Sequence, residues 1–262
     1  MSADPAPGVT DRYGAARTIH LAEVTSTLDV AYELAAQGAP GGTLIVADMQ
    51  TAGRGRMGRT WRSEPGAGIW LTLIERPRDA SALEVLSLRI GLALAPALDG
   101  FASGPVRLKW PNDLYVGEQK LAGVLIEARW REAQPEWVAI GVGINLRPPA
   151  GDTGSVRPIG LSAGVSPDEV LLRIVRPMRA AARRVGPLGD DELAAFAARD
   201  LARGRRCVEP VDGVVQGIDA SGALVVDVGL TGDNARGSDG STITAVRAGS
   251  LVLEGTSEEV AS

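Results

Sequence analysis

Between Arg107 and Ala128 the chain leaves itself few ways to fold. Val106 to Trp110 alternates as a strand, and Pro111-Asn112-Asp113 breaks it, since proline fixes its own φ and lacks a donor. Leu114 to Val116 and Gln119 to Ala128 then flank Gly117-Glu118, which reads as a hairpin turn. The same stretch holds both lysines of the chain, Lys109 and Lys120, among 27 basic residues. Elsewhere positive charge is carried by arginine. A lysine kept against such a bias points to a place where a flat guanidinium fork would not serve and a compact, mobile ammonium would.

The remaining chain supplies a sheet for that hairpin to join. Thr18 to Val24 reads as a strand, Thr25-Ser26-Thr27 offers hydroxyls at a helix start, and an apolar period of Leu28, Ala31, Tyr32, Leu34 and Ala35 runs on to Gly38. Capping and a ligand role are both open to Ser26 and Thr27. Thr43 to Met49 is an apolar strand, Gly68 to Glu75 another with Trp70 in the core, and Glu136 to Leu146 a third. Ser81 to Leu98 is the best helical pattern in the chain. Two further helices are expected at about Asp168 to Val185 and Asp190 to Arg203, with Pro177 kinking or splitting the first. After Gly204 the pattern changes to short β segments: Arg205 to Val208, Val211 to Ile218, Ala223 to Val228 and Thr242 to Leu253. Gly229 to Ser241 reads as a mobile loop between them, and residues 1–16 as a flexible tail.

Gln50 to Arg62 carries four arginines and no acid in a chain of net charge -5. Glycines there let successive N–H groups turn inward as an anion-binding nest, and the interleaved arginines suit carboxylate and phosphate oxygens. Gly53, Gly55 and Gly58 formally match a dinucleotide-binding fingerprint, which must open a helix. Here they lead to Trp61 and Glu64-Pro65-Gly66, so that reading is rejected.

Composition excludes several classes. The acidic balance offers nucleic acid no general attraction. One cysteine, Cys207, allows no internal disulfide and is read as a core thiol; one histidine, His20, argues against a His-based metal site or triad. No apolar run reaches membrane-span length, and the start has no signal-peptide pattern, so a cytoplasmic protein is expected.

Three motifs now stand in one order: Gly53-Arg54-Gly55-Arg56-Met57-Gly58-Arg59-x-Trp61; then Lys109-Trp110-Pro111-Asn112-Asp113 with Lys120-Leu121-Ala122-Gly123; then Gly141-Val142-Gly143-Ile144-Asn145. In these the chain resembles the biotin protein ligases over about residues 18–200, and the Lys-Trp-Pro-Asn-Asp and Lys-Leu-Ala-Gly pair is the specific part. The resemblance implies an α+β fold: a mixed or antiparallel sheet with packed helices over 17–203, a small SH3-like β-barrel over 204–256, and a tail over 257–262. It implies ATP and biotin as substrates with Mg²⁺, and a biotin carboxyl carrier domain as partner. Biotinyl-5′-adenylate forms first, and biotin then passes to a carrier lysine. The short segment before the first strand leaves no room for a DNA-binding domain, so no repressor function and no nucleic-acid partner are expected; pairing into a homodimer is open.

Carried over residue by residue, the resemblance makes Lys120 the essential lysine, with Arg56 and Asp113 beside it in the chemistry. Asp113 would orient or deprotonate the incoming lysine. Biotin would meet Ser26, Thr27, Leu28, Gln50, Arg54, Gly55, Arg56, Lys120 and Gly123. ATP would meet Arg54, Arg56, Arg59, Trp61, Lys109, Asn112 and Asn145, with Trp61 stacking on adenine; no side chain is assigned to metal. Two departures matter. Leu28 stands where many members have Asn, and Leu251-Val252-Leu253-Glu254 ends in an acid where several relatives carry a base.

Overall fold

The structure, a computed structural model, describes residues 10–77, 79–148, 157–229 and 242–255. Seven strands form the main sheet: β1 (Arg17–Val24), β2 (Thr43–Gln50), β3 (Gly68–Glu75), β4 (Val106–Lys109), β5 (Asp113–Val116), β6 (Gln119–Arg131) and β7 (Gln134–Asn145). Their order is β1-β2-β3-β7-β6-β5-β4; β1 lies parallel to β2 and every other pair is antiparallel. Period-two alternation divides the strand residues between two cores. Leu44, Val46, Leu71 and Leu73 face the larger one, under α2 (Leu86–Leu98) and α3 (Pro167–Ala182). Ile45, Ile74, Trp137 and Ala139 face the smaller one, under α1 (Thr27–Ala36).

Several expectations are corrected. The second helix begins at Leu86 rather than Ser81, because Asp79 accepts from Ser81 N–H and caps a separate 3₁₀ turn over Ala80–Ala82. Pro177 does not divide α3, whose apolar stripe (Val170, Leu171, Ile174, Val175, Met178) is buried on both sides of it. The capping box of Ser166 and Glu169 starts that helix. Helix α4 (Asp190–Arg199) stops before Arg203, where Asp200 joins Leu108 in an isolated bridge. Residues 10–16 are packed rather than a tail: Asp11 accepts from Tyr13 N–H and Ala15 N–H, and Tyr13 and Ala15 are buried. Arg179 reaches them through Gly14 O, while its Nε holds the buried Glu75 at 3.0 Å. Burial pushes the Glu75 carboxyl up, with Arg179 opposing. Residues 1–9, 230–241 and 256–262, with most of the expected tails and loop, lie outside the described residues.

A second sheet of five antiparallel strands follows: β8 (Arg206–Glu209), β9 (Gly213–Ile218), β10 (Leu224–Asp227), β11 (Ile243–Val246) and β12 (Val252–Leu253), in the order β11-β10-β9-β8-β12. The segment expected as one strand from Thr242 to Leu253 is therefore two, on opposite edges. This sheet shares the larger core through Cys207, Val215, Leu224 and Leu253. Trp110 Nε1 donates to Gly222 O at 2.9 Å across the junction. Cys207 is buried, and burial raises its thiol's pKa, as fits a core residue. No helix among the described residues is long and apolar enough to cross a membrane.

Candidate functional site

Helix α1 packs on β2, β3 and β7, and beside it a cavity of about 760 Å³ opens toward β5 and β6. Gly123 of β6 stands opposite Gly143 of β7, and Leu125 opposite Gly141, so three of these four positions on the period-two face that lines the cavity carry no side chain of their own. Leu28 of α1 lies over Gly141, and the Trp61 indole over Gly123 and Gly143.

Lys120 reaches this face through a register shift. Asp113 pairs with Gly123 and Leu114 with Ala122, but Tyr115 pairs with Lys120, leaving Leu121 as an extra residue in β6. A bulge of one residue reverses the faces beyond it. Lys120 thereby joins Asp113 on one side, Nζ to Oδ2 at 2.7 Å, while Leu121 is buried in the larger core. Gly117, at φ 57, supplies the left-handed turn that closes this hairpin. The Lys120 ammonium also stands 5.2 Å from the Trp61 ring centroid. Asp113 Oδ1 and Trp61 Nε1 are buried with no hydrogen-bond partner among the described residues.

A chain of hydrogen bonds stiffens the α1 end. Ser26 is the α1 N-cap and accepts from Leu28 N–H. Thr72 Oγ1 donates to Thr27 Oγ1 at 2.8 Å, Thr27 N–H and Oγ1 donate to Gln50 Oε1 at 2.8 and 3.1 Å, and Gln50 Nε2 donates to Ser63 Oγ at 2.8 Å. The Arg/Gly loop is itself folded: Gly55 N–H donates to Arg59 O and Trp61 N–H to Gly53 O, both at 2.8 Å, around a short 3₁₀ turn over Arg56–Gly58. That turn, rather than a long helix, agrees with rejecting a dinucleotide fold. Arg56 donates to Asn112 Oδ1 at 3.2 Å, and burial lowers its pKa, with Asp113 opposing and Arg59 reinforcing the fall. Asn112 Nδ2 in turn holds Val124 O at 2.8 Å, and Asn145 Nδ2 holds Lys120 O at 3.2 Å.

Ser26, Thr27, Leu28, Gln50, Arg54, Gly55, Arg56, Arg59, Trp61, Lys109, Asn112, Asp113, Lys120, Gly123 and Asn145 all line this one cavity. Sequence reasoning did not single out Ser63, whose role follows only from its bond to Gln50. It also missed Ser250, which joins the cavity wall from the segment before β12, with Ser250 Oγ accepting from Arg59 at 3.1 Å. Strand alternation could have flagged Gly141 and Gly143; no local signal marks Ser250. The arrangement juxtaposes cations, a carboxylate and an apolar end, and its cations suit an anionic ligand.

Comparison with known proteins agrees with this geometry. Residues 21–145 match the model of the biotin/lipoate A/B protein ligase family. The bifunctional ligase/repressor BirA of Bacillus spizizenii is 42% identical over 130 residues, 49% of this chain, which spans only 40% of that protein's length. The biotin–[acetyl-CoA-carboxylase] ligase of Paracoccus denitrificans is 36% identical over 227 residues, 79% of this chain and 92% of that protein. Among solved structures, a biotin protein ligase from Aquifex aeolicus in complex with biotin and ATP aligns with a TM-score of 0.72 at 25% identity, over 91% of this chain and 98% of that one.

Proposed function

Since the chain belongs to the biotin/lipoate A/B protein ligase family, we infer that it activates biotin with ATP and transfers it to a lysine of a biotin carboxyl carrier domain. The observation that carries this reading is the Lys120–Asp113 pair at 2.7 Å beside Arg56, under a folded Arg/Gly loop and next to an apolar, hydrogen-bonded slot. In the first step a biotin carboxylate oxygen bonds to the α-phosphorus while the bond from that phosphorus to the bridging oxygen breaks, releasing pyrophosphate. Lys120 and Arg56 offset the repulsion between the two anions. In the second, the carrier lysine attacks the acyl carbon, loses a proton, and AMP leaves. The Asp113 carboxylate, paired with Lys120, would take that proton.

Thr27, Gln50 and Ser63 support a ureido-binding end, and Leu28 over Gly141 an apolar wall there. Trp61 supports adenine stacking, with its buried Nε1 left to a polar partner. Among the described residues no group of three or more His, Cys, Asp or Glu side chains could hold a metal ion. Mg²⁺ would enter on the triphosphate, where it would offset phosphate charge. The second sheet is read as the SH3-like unit of this reaction, closing the nucleotide side through Ser250. A cytoplasmic setting is consistent with the single buried thiol.

Pyrophosphate exchange into ATP tests the reading. Exchange is expected with biotin and not with lipoate or octanoate; exchange with either of the latter alone would reassign the acid, and none with any acid would overturn the activity. Gly143→Ala refines it. A Cβ there would sit 2.6 Å from the Trp61 ring. The displaced indole should raise the KM for ATP by about tenfold or more, roughly 1.4 kcal/mol. Steady-state exchange rates at varied ATP check this.

A further inference from the structure

Three of the four arginines between Gln50 and Arg62 reach three different parts of the molecule. Arg56 turns to Asn112 inside the cavity and Arg59 to Ser250 in the segment before β12. Arg54 turns outward: its Nη1 meets Asp29 Oδ1 at 2.9 Å and its Nη2 meets Glu127 Oε2 at 3.1 Å. Asp29 lies in the first turn of α1 and Glu127 on β6, on the same alternating face as Gly123 and Leu125. Neither acid lines the cavity, although Arg54 does. Asp29 is itself steadied by Thr25 Oγ1, which donates to its second oxygen at 2.9 Å. The guanidinium thus bridges α1 to β6 through two acids that lie outside the cavity lining, and the loop that carries it is internally hydrogen-bonded.

We propose that Asp29 and Glu127 are positioning residues for the ligase reaction: by sharing the Arg54 guanidinium they hold the Arg/Gly loop down over the acyl-adenylate until an acceptor lysine arrives. Arg54 is then the anchor of the loop, and Arg56 is the loop arginine directed at phosphoryl charge. This rests on the activity inferred above. The three side chains are 35–41% exposed, so each bridge alone contributes little and is screened by salt. The device depends on two carboxylates acting on one loop.

The test compares the full chain with Asp29→Asn, Glu127→Gln and the double variant. Pyrophosphate exchange with biotin, free biotinyl-adenylate released into solution, and biotin on bystander serum albumin are all measured. The double variant is expected to release adenylate and label albumin about tenfold more than wild type, while saturated exchange changes by less than about threefold, a small fraction of a catalytic loss. Each single variant should leak less than the double, Asp29→Glu should retain the intermediate as wild type does, and wild-type leakage should rise with salt. Retention by the double variant equal to wild type would overturn the proposal. A tighter KM for ATP without leakage would also overturn it, making Arg54 a phosphate ligand that the acids hold back. Trypsin cleavage after the loop arginines gives a readout without substrates. Faster cutting in the double variant supports the strap even if wild type shows no exchange with biotin, a result that would sink the ligase reading alone. Equal cutting in all variants counts against the strap.

Discussion

Lys120→Ala is expected to lower biotin-dependent pyrophosphate exchange by about 10²–10³-fold, the usual loss when one preorganised charge partner of a reacting oxyanion is removed. The variant loses more than a cation. Asp113 stays behind with one oxygen already buried and unpartnered, so the carboxylate of the acid and the α-phosphate would meet a fixed negative charge where an ammonium stood. Lys120→Arg keeps the charge but brings a planar fork into a space bounded by Asp113, 2.7 Å away, and the Trp61 ring, 5.2 Å away. It should recover only a small part of the rate. Asp113→Asn separates the steps. Exchange should persist within about tenfold because Lys120 remains, whereas a change confined to adenylation would remove Asp113 from the transfer step. Exchange and single-turnover transfer, measured side by side on each variant, decide this.

Glu192→Ala should destabilise the fold by about 3–5 kcal/mol while leaving the cavity untouched. Arg89 on α2 is 1% exposed at its side chain and gives Nε and Nη2 to the Glu192 carboxylate at 2.8 and 3.1 Å. Its only other bond among those described is from Nη2 to Pro187 O, at 2.7 Å. Without Glu192 the guanidinium is a buried charge with no counterion in contact, and α4 loses the N–H of Gly189 that this carboxylate also accepts. Replacing both partners by apolar side chains of similar volume, Arg89→Met with Glu192→Leu, should cost less than the single change. Urea unfolding of the three proteins measures the difference. The pair also sets an acid limit. Burial pushes the Glu192 carboxyl up, but the bonds from Arg89 and Gly189 outweigh it and hold the pKa below the ordinary glutamate value. A carboxyl depressed in the folded state contributes stability above its unfolded pKa and loses it as pH falls through the folded one. Wild type should therefore weaken toward acid more steeply than the apolar double variant.

The hairpin at Gly117-Glu118 and the cap at Ser26 were legible because each rests on residues a few positions apart. The cavity was legible as three motifs in one order, and their residues do meet. What stayed hidden depends on distance or on a count of one. Nothing local says that Leu121 is an extra residue, yet without that slip Lys120 would point away from Asp113. Asp29, Glu127 and Arg54 lie far apart in the chain, so their meeting follows from the packing of α1 on the sheet and from no pattern in any window. Ser250 reaches the site only because β12 returns to pair with β8. The start of α2 was misread because Leu83, Leu86 and Ile90 keep helical spacing while Asp79 caps an earlier turn. Tyr13, among small residues, carried no period and yet is buried.

Both lysines of the chain are withdrawn from solvent: Lys109 is 6% exposed, and the Lys120 side chain is 18% exposed and engaged by Asp113. An acyl-adenylate is an indiscriminate acylating agent, and exposed lysine amines are its commonest victims because they can lose a proton. A guanidinium keeps its proton and does not react. The rest of the 27 basic residues are arginines and offer such a reagent nothing to acylate. The molecule thus offers its own reagent few amines, and little self-labelling is expected on incubation with biotin and ATP. The lysine it marks is then expected on another chain.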